Sequence, residues 1–147
     1  MKYNKYKVNS NMKDGMKVKV NNTRGHEIII DEPESSGGTD EGMNPVEITL
    51  ASLAGCLSIT TEFLAKKMKI KIEDLSIDVE GEINKKAMTS TEVDSGFKEV
   101  RYNINIKSNS SKEKIEKLIN RIEDYCPVSD TLVRAINVKG SYSLKNS

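Results

Sequence analysis

Tryptophan is absent from this chain and phenylalanine occurs only twice in 147 residues, so stacking on nucleobases has few candidates. An excess of one charge is lacking too. The 23 Lys and Arg stand against 22 Asp and Glu, a net +1, and no global field draws nucleic acid or anionic lipid. Nor is there a long uninterrupted apolar run. The longest, Ile48 to Ile59, is broken by Thr49, Ser52 and Ser58, which predicts a segment too short and too polar to span a bilayer. The basic opening M-K-Y-N-K-Y-K-V-N-S-N has no apolar stretch of the kind a secretory leader carries. These absences predict a cytoplasmic protein without nucleic-acid or membrane partners. In that reducing compartment a permanent structural disulfide is disfavoured, so any bond between cysteines is expected to be transient.

Histidine and cysteine are scarce as well. His26 is the single imidazole, in the turn T-R-G-H-E, and nothing around it resembles a Cys–His hydrolase signature. Cys56, Cys126 and His26 would make three zinc ligands, but no C-x-x-C or H-x-x-x-H spacing supports a site, and no metal is expected. Gly37, Gly38 and Gly42 form neither a dinucleotide fingerprint nor a phosphate loop, so no cofactor is expected either.

The length suits a single domain over 1–147. Met16, Val18 and Val20 alternate with lysines, N-N-T-R-G supplies turn residues, and Glu27–Asp31 carries three isoleucines, a pattern that predicts a β-hairpin. Residues 32–43 are rich in Gly, Ser and acids and read as a loop. Asn44, Pro45 and Glu47 supply cap, first turn and capping box for a helix over 44–68. Its middle is apolar or small on every face, which predicts burial on all sides, with a second subunit as the economical source of cover. Alternation predicts antiparallel strands over 71–83 and 97–107 around a polar loop at 84–96, and Ile115, Leu118, Ile119 and Ile122 predict an amphipathic helix over 111–125. Pro127 begins a short helix ending near Ile136, and Val138, Tyr142 and Leu144 mark a last strand around Gly140. The order β-β-α-β-β-α-α-β favours an α+β fold.

Chemistry then rests on the two thiols. Cys56 lies on the long helix among Ala51, Ala54, Gly55 and Leu57, where it reads either as a small buried hydrophobe or as a thiol reached by a channel or cation. Cys126 precedes Pro127 at a helix start, where unpaired amides would stabilise a thiolate, and local context favours it as the more reactive of the two. Arg24, at the hairpin tip, reads as an exposed turn residue or as a guanidinium able to lower a thiol pKa.

Residues 37–60, G-G-T-D-E-G-M-N-P-V-E-I-T-L-A-S-L-A-G-C-L-S-I-T, resemble the OsmC/Ohr superfamily, and Y-C-P-V-S at 125–129 resembles its second cysteine motif. The resemblance extends along nearly the whole chain. It implies an OsmC-like fold: an intertwined α+β homodimer with antiparallel sheets, a long buried central helix and sites at the subunit interface. In peroxidase members the helical cysteine attacks an organic hydroperoxide and forms a sulfenic acid. The second cysteine closes a disulfide, and a dithiol or lipoyl-type reductant reopens it. Carried over, Cys56 is the nucleophile, Cys126 the resolving thiol, and Arg24 and Glu47 the activating pair. One departure stands out. Those members carry a glutamate directly after Asn-Pro, where this chain has Val46, and the glutamate comes one position later, at Glu47. One residue turns a helix by about 100°, and the pattern looks more like the less characterised OsmC-like branch. The alternative function is a dimeric redox-sensing or small-molecule-binding protein without efficient turnover.

Overall fold

The structure, a computed structural model, describes residues 1–12 and 14–144. Three strands open the chain, β1 (Val8–Met12), β2 (Val18–Asn22) and β3 (Glu27–Ile30), and they form an antiparallel sheet in the order β1-β2-β3. Helix α1 (Pro45–Lys67) follows, then β4 (Ile72–Ile83) and β5 (Phe97–Ser108), paired as a two-stranded antiparallel sheet. Helices α2 (Lys112–Tyr125) and α3 (Pro127–Val133) complete the α+β fold. The described residues group into two compact units, one within 1–52 and 81–98, the other within 53–80 and 99–144.

In the first unit, the β2–β3 turn is organised by Asn22, whose side-chain oxygen accepts from the Arg24 and His26 amides at 2.9 and 3.1 Å. Gly25 supplies the positive φ of 87° that this turn needs. The loop after β3 winds around Asp31. That carboxylate is 1% exposed and accepts from the Glu32, Thr39 and Glu41 amides and the Thr39 hydroxyl, at 2.6 to 3.2 Å. A Cβ on Gly38 would overlap the Glu32 carbonyl, so this loop can close only over glycine. The loop delivers the chain to the capping box of α1. There the Asn44 side chain accepts from the Glu47 amide and the Glu47 carboxylate accepts from the Asn44 amide, both at 2.9 Å.

In the second unit, the core gathers Leu53, Leu57, Leu64 and Ala65 of α1 with Ile70, Leu118, Ile122 and Cys126. The inward faces of β4 (Ile77, Val79) and β5 (Val100, Tyr102, Ile104, Ile106) pack against it. Their outward faces carry cross-strand partners: Arg101 with Glu80 at 2.9 Å and Asn105 with Asp78 at 3.1 Å. The in-out alternation slips by one residue at Glu73–Asp74 and again at Lys98–Glu99. Helix α1 ends in a Schellman arrangement. Ile70 N–H reaches the Ala65 carbonyl at 2.9 Å and Lys69 N–H that of Lys66 at 3.2 Å, with Lys69 itself at φ 54°.

The structure changes four expectations. β1 was not expected; its polar sequence V-N-S-N-M lies wholly exposed at a sheet edge, so no burial imposes a hydrophobic pattern on it. The last strand is not formed: residues 135–144 hold neither helix nor strand and are exposed, and α3 stops at Val133. A strand at 138–144 would need a ladder partner, and this segment has none among the described residues. Within the single chain helix α1 is covered on one face, with Ser52, Gly55, Ile59 and Phe63 exposed along the other, the face for which a second subunit is the expected cover. With its 23 residues and a mean hydropathy of 1.5 over its most apolar window, α1 also meets the length and composition of a membrane span, contrary to expectation. Core helices of soluble proteins meet the same criterion, and the Leu53–Leu57–Leu64 face is packed inside the second unit.

Candidate active site

Two elements bring the thiols together. The small-residue run A-S-L-A-G-C of α1 presents Cys56 half-buried beside the core. Cys126 closes α2 and opens α3, because Pro127 cannot continue the first helix but suits the first turn of the second. The Cys126 thiol donates to the Cys56 sulfur across 3.0 Å, and both cysteines are free. A covalent disulfide needs about 2.05 Å between sulfurs, so a shift of roughly an ångström separates this geometry from a bond.

Local context favoured Cys126 as the more reactive thiol, and its burial argues against that. Cys126 is 1% exposed. Burial pushes its thiol pKa up, and the hydrogen bond to Cys56 adds to the rise. The Ser129 amide, donating to the sulfur at 3.4 Å, and the Val128 amide pull the other way. Burial is the largest of these influences and outweighs the amides at the start of α3, so the net direction is up. Cys56, the more exposed of the two, is the thiol an outside reagent meets first.

Arg24 and Glu47 both belong to the first unit. Arg24 sits exposed in the β2–β3 turn, anchored through its backbone. Glu47 is exposed and its carboxylate serves the α1 cap. His26 lies beside Asn22, with a 3.2 Å contact between the side chains. Among the described residues no group of His, Cys, Asp and Glu forms a metal cluster.

Sequence reasoning missed Tyr102 and Glu123. The Tyr102 hydroxyl donates to the Glu123 carboxylate, one helical turn before Cys126. Burial first, then this bond, pushes the Tyr102 pKa up to about 12. The spacing of Glu123 to Cys126 is readable from sequence, but its pairing with a residue on β5 is not.

A model of the OsmC-like protein family matches residues 38–141, a stretch that holds both cysteines. The chain belongs to the OsmC-like family. Among curated relatives, the organic hydroperoxide resistance protein OhrB of Bacillus subtilis is 29% identical over 114 residues, covering 77% of each chain. The OsmC-like fold recurs in solved structures. An OsmC-like protein from Mycoplasma pneumoniae superposes with a TM-score of 0.77 at 23% identity over 88% of both chains. The crystal structure of B. subtilis OhrB gives 0.56 at 23% identity, covering 86% of this chain and 88% of that one. At those identities the structural likeness speaks for the fold alone.

Proposed function

We propose that this protein is a thiol-dependent peroxidase that reduces organic hydroperoxides in the cytoplasm, with Cys56 as nucleophile and Cys126 as resolving thiol. The observation that carries the reading is the 3.0 Å approach of the two sulfurs, one buried and one reachable. The resistance that names the B. subtilis relative supports the substrate class. The Cys56 thiolate attacks the hydroperoxide, the O–O bond breaks, an alcohol leaves with a proton, and Cys56 becomes a sulfenic acid. Cys126 then displaces water from that sulfur to form the disulfide, and a dithiol or lipoyl-type reductant returns both thiols. Cys126 suits the second role, since a buried, protonated thiol is slow to meet peroxide but adjacent to the sulfenic acid as it forms. Arg24 and Glu47 enter this reading as the activating cation and its carboxylate. The acting unit is a homodimer, supported by the apolar stripe that α1 leaves uncovered.

The alternative, a redox-sensing dimer without efficient turnover, is favoured by the engagement of Glu47 in the helix cap. Turnover of cumene hydroperoxide with dithiothreitol or a lipoyl system separates the two. The wild type is expected to consume peroxide and Cys56→Ser to be inactive. Cys126→Ser is expected to turn over once or a few times and then accumulate sulfinic acid at Cys56, read by intact mass. No consumption by the wild type with either reductant would rule out the peroxidase.

A further inference from the structure

The disulfide step demands tight geometry of Cys126, yet Cys126 sits at a joint. Its φ of −90° and ψ of 105° are extended, and it is at once the last cap of α2 and the first of α3. What steadies it on the α3 side is local: the Asp130 amide donates to the Cys126 carbonyl at 3.0 Å and the Ser129 amide to its sulfur at 3.4 Å. On the α2 side the holding residue is Glu123, which accepts the Cys126 amide on its main-chain carbonyl at 3.4 Å. The same residue, through its carboxylate, accepts the Tyr102 hydroxyl. Tyr102 stands on the face of β5 that packs against the core containing Cys126.

We propose that Tyr102, acting through Glu123, is a positioning residue that ties the α2–α3 joint to β5 and holds the Cys126 sulfur in line with Cys56. A disulfide tolerates little error in sulfur separation or dihedral angle. A joint free to pivot would hold the two sulfurs in bonding range for a smaller share of the time, lowering their effective concentration. Among the causes that raise the Tyr102 pKa is its interaction with Cys126, after burial and Glu123, so the three groups share one environment. The hydroxyl therefore stays protonated and donating throughout the neutral range.

The inference rests on the proposed exchange between Cys56 and Cys126, but its test needs no peroxide. In glutathione redox buffers the two protein thiols give up two electrons and two protons to glutathione disulfide, which leaves as two glutathione thiols, and the Cys56–Cys126 bond forms. The oxidised fraction, read by thiol trapping and intact mass, locates the midpoint for wild type, Tyr102→Phe, Glu123→Ala and Glu123→Gln, with thermal melts alongside. Tyr102→Phe and Glu123→Ala are expected to need a buffer about fivefold more oxidising, the effect of one modest hydrogen bond. Glu123→Gln keeps an amide oxygen to accept the hydroxyl and is expected to stay within about twofold of wild type. An unchanged midpoint in Tyr102→Phe with a wild-type melt overturns the proposal. So does a Glu123→Gln midpoint that moves with Glu123→Ala, since charge and not the hydrogen bond would then be responsible. If Tyr102→Phe does not fold, the two Glu123 variants decide. Absence of hydroperoxide turnover with shifted midpoints would sink the peroxidase and leave this positioning role standing. A wild type that forms no disulfide in any buffer would overturn both.

Discussion

At Cys126 two local effects oppose each other: the first amides of α3 favour a thiolate, and burial among Leu118, Ile122 and Leu57 disfavours it. The cap was legible in Cys-Pro; the burial was not, because it is contributed by residues far away in sequence. The same holds for Asp31, one acid among several in a polar loop, which turns out to be the buried hub of that loop. Its pKa is held below the ordinary carboxylate range, first by the Thr39 hydroxyl and then by backbone amides acting against burial. Because the folded value is the lower one, Asp31 contributes stability above the unfolded carboxylate pKa. That contribution is lost as pH falls through the folded value. Asp31→Ala is expected to lower Tm at pH 7 by several degrees, and the gap to wild type should narrow on acidification; thermal melts across pH check both. A gap that widened as pH fell would show that the carboxylate is not the stabilising species.

Among the elements, α1 was the most readable, since Asn44, Pro45 and Glu47 coincide and the helix begins where they predict. That cap also allows the two roles of Glu47 to be separated. Gln serves a capping box as Glu does, so Glu47→Gln is expected to keep Tm within a degree or two while losing the charge. A fall in peroxide turnover of tenfold or more at unchanged Tm would mark Glu47 as part of the reactive site, and unchanged turnover would leave it a cap. At the far end of α1, Lys69 occupies a left-handed position that usually goes to glycine. Lys69→Gly is expected to stabilise by about 0.5–1 kcal/mol, the left-handed strain relieved less the added freedom of the unfolded chain. Denaturant midpoints measure it. The short helix after Pro127 was also legible, but not its end at Val133, because nothing in V-R-A-I-N resembles a stop signal. Strand β1 and the unformed strand at 138–144 were misjudged for a common reason. A strand exists only where another strand pairs with it, and pairing is not written in either partner alone.

At the scale of the whole molecule, helix α1 and strands β4 and β5 each run without a break from one compact unit into the other. We propose a single domain over 1–147, for which shared elements of this kind predict one cooperative unfolding transition. Coincident melting curves from far-ultraviolet dichroism and tyrosine fluorescence check it, and two resolved transitions would argue for separate domains. The uncovered face of α1 bears on assembly. Ile59 is 74% exposed and Phe63 52%, the latter under the Lys67 ammonium at 4.3 Å. Water on two large apolar side chains along an otherwise core-like helix is costly. Ile59→Glu is therefore expected to convert a dimer to monomer in light scattering, since a charge buried at a symmetric contact meets its own copy. A wild type that is monomeric at micromolar concentration would refute the dimer itself.

What the sequence determined by itself was everything carried by short-range order: the capping box of α1, the alternation of β4 and β5, the apolar stripe of α2, and the two cysteine motifs with their family resemblance. Each depends on residues within a turn or a strand of one another, where spacing alone settles the geometry. The approach of Cys126 to within 3.0 Å of Cys56, its burial, and the reach of Tyr102 to Glu123 beside it came only with the tertiary packing. Those facts depend on which distant segments share a core, and burial, the strongest influence on a thiol here, is a property of that packing and not of neighbours in the chain.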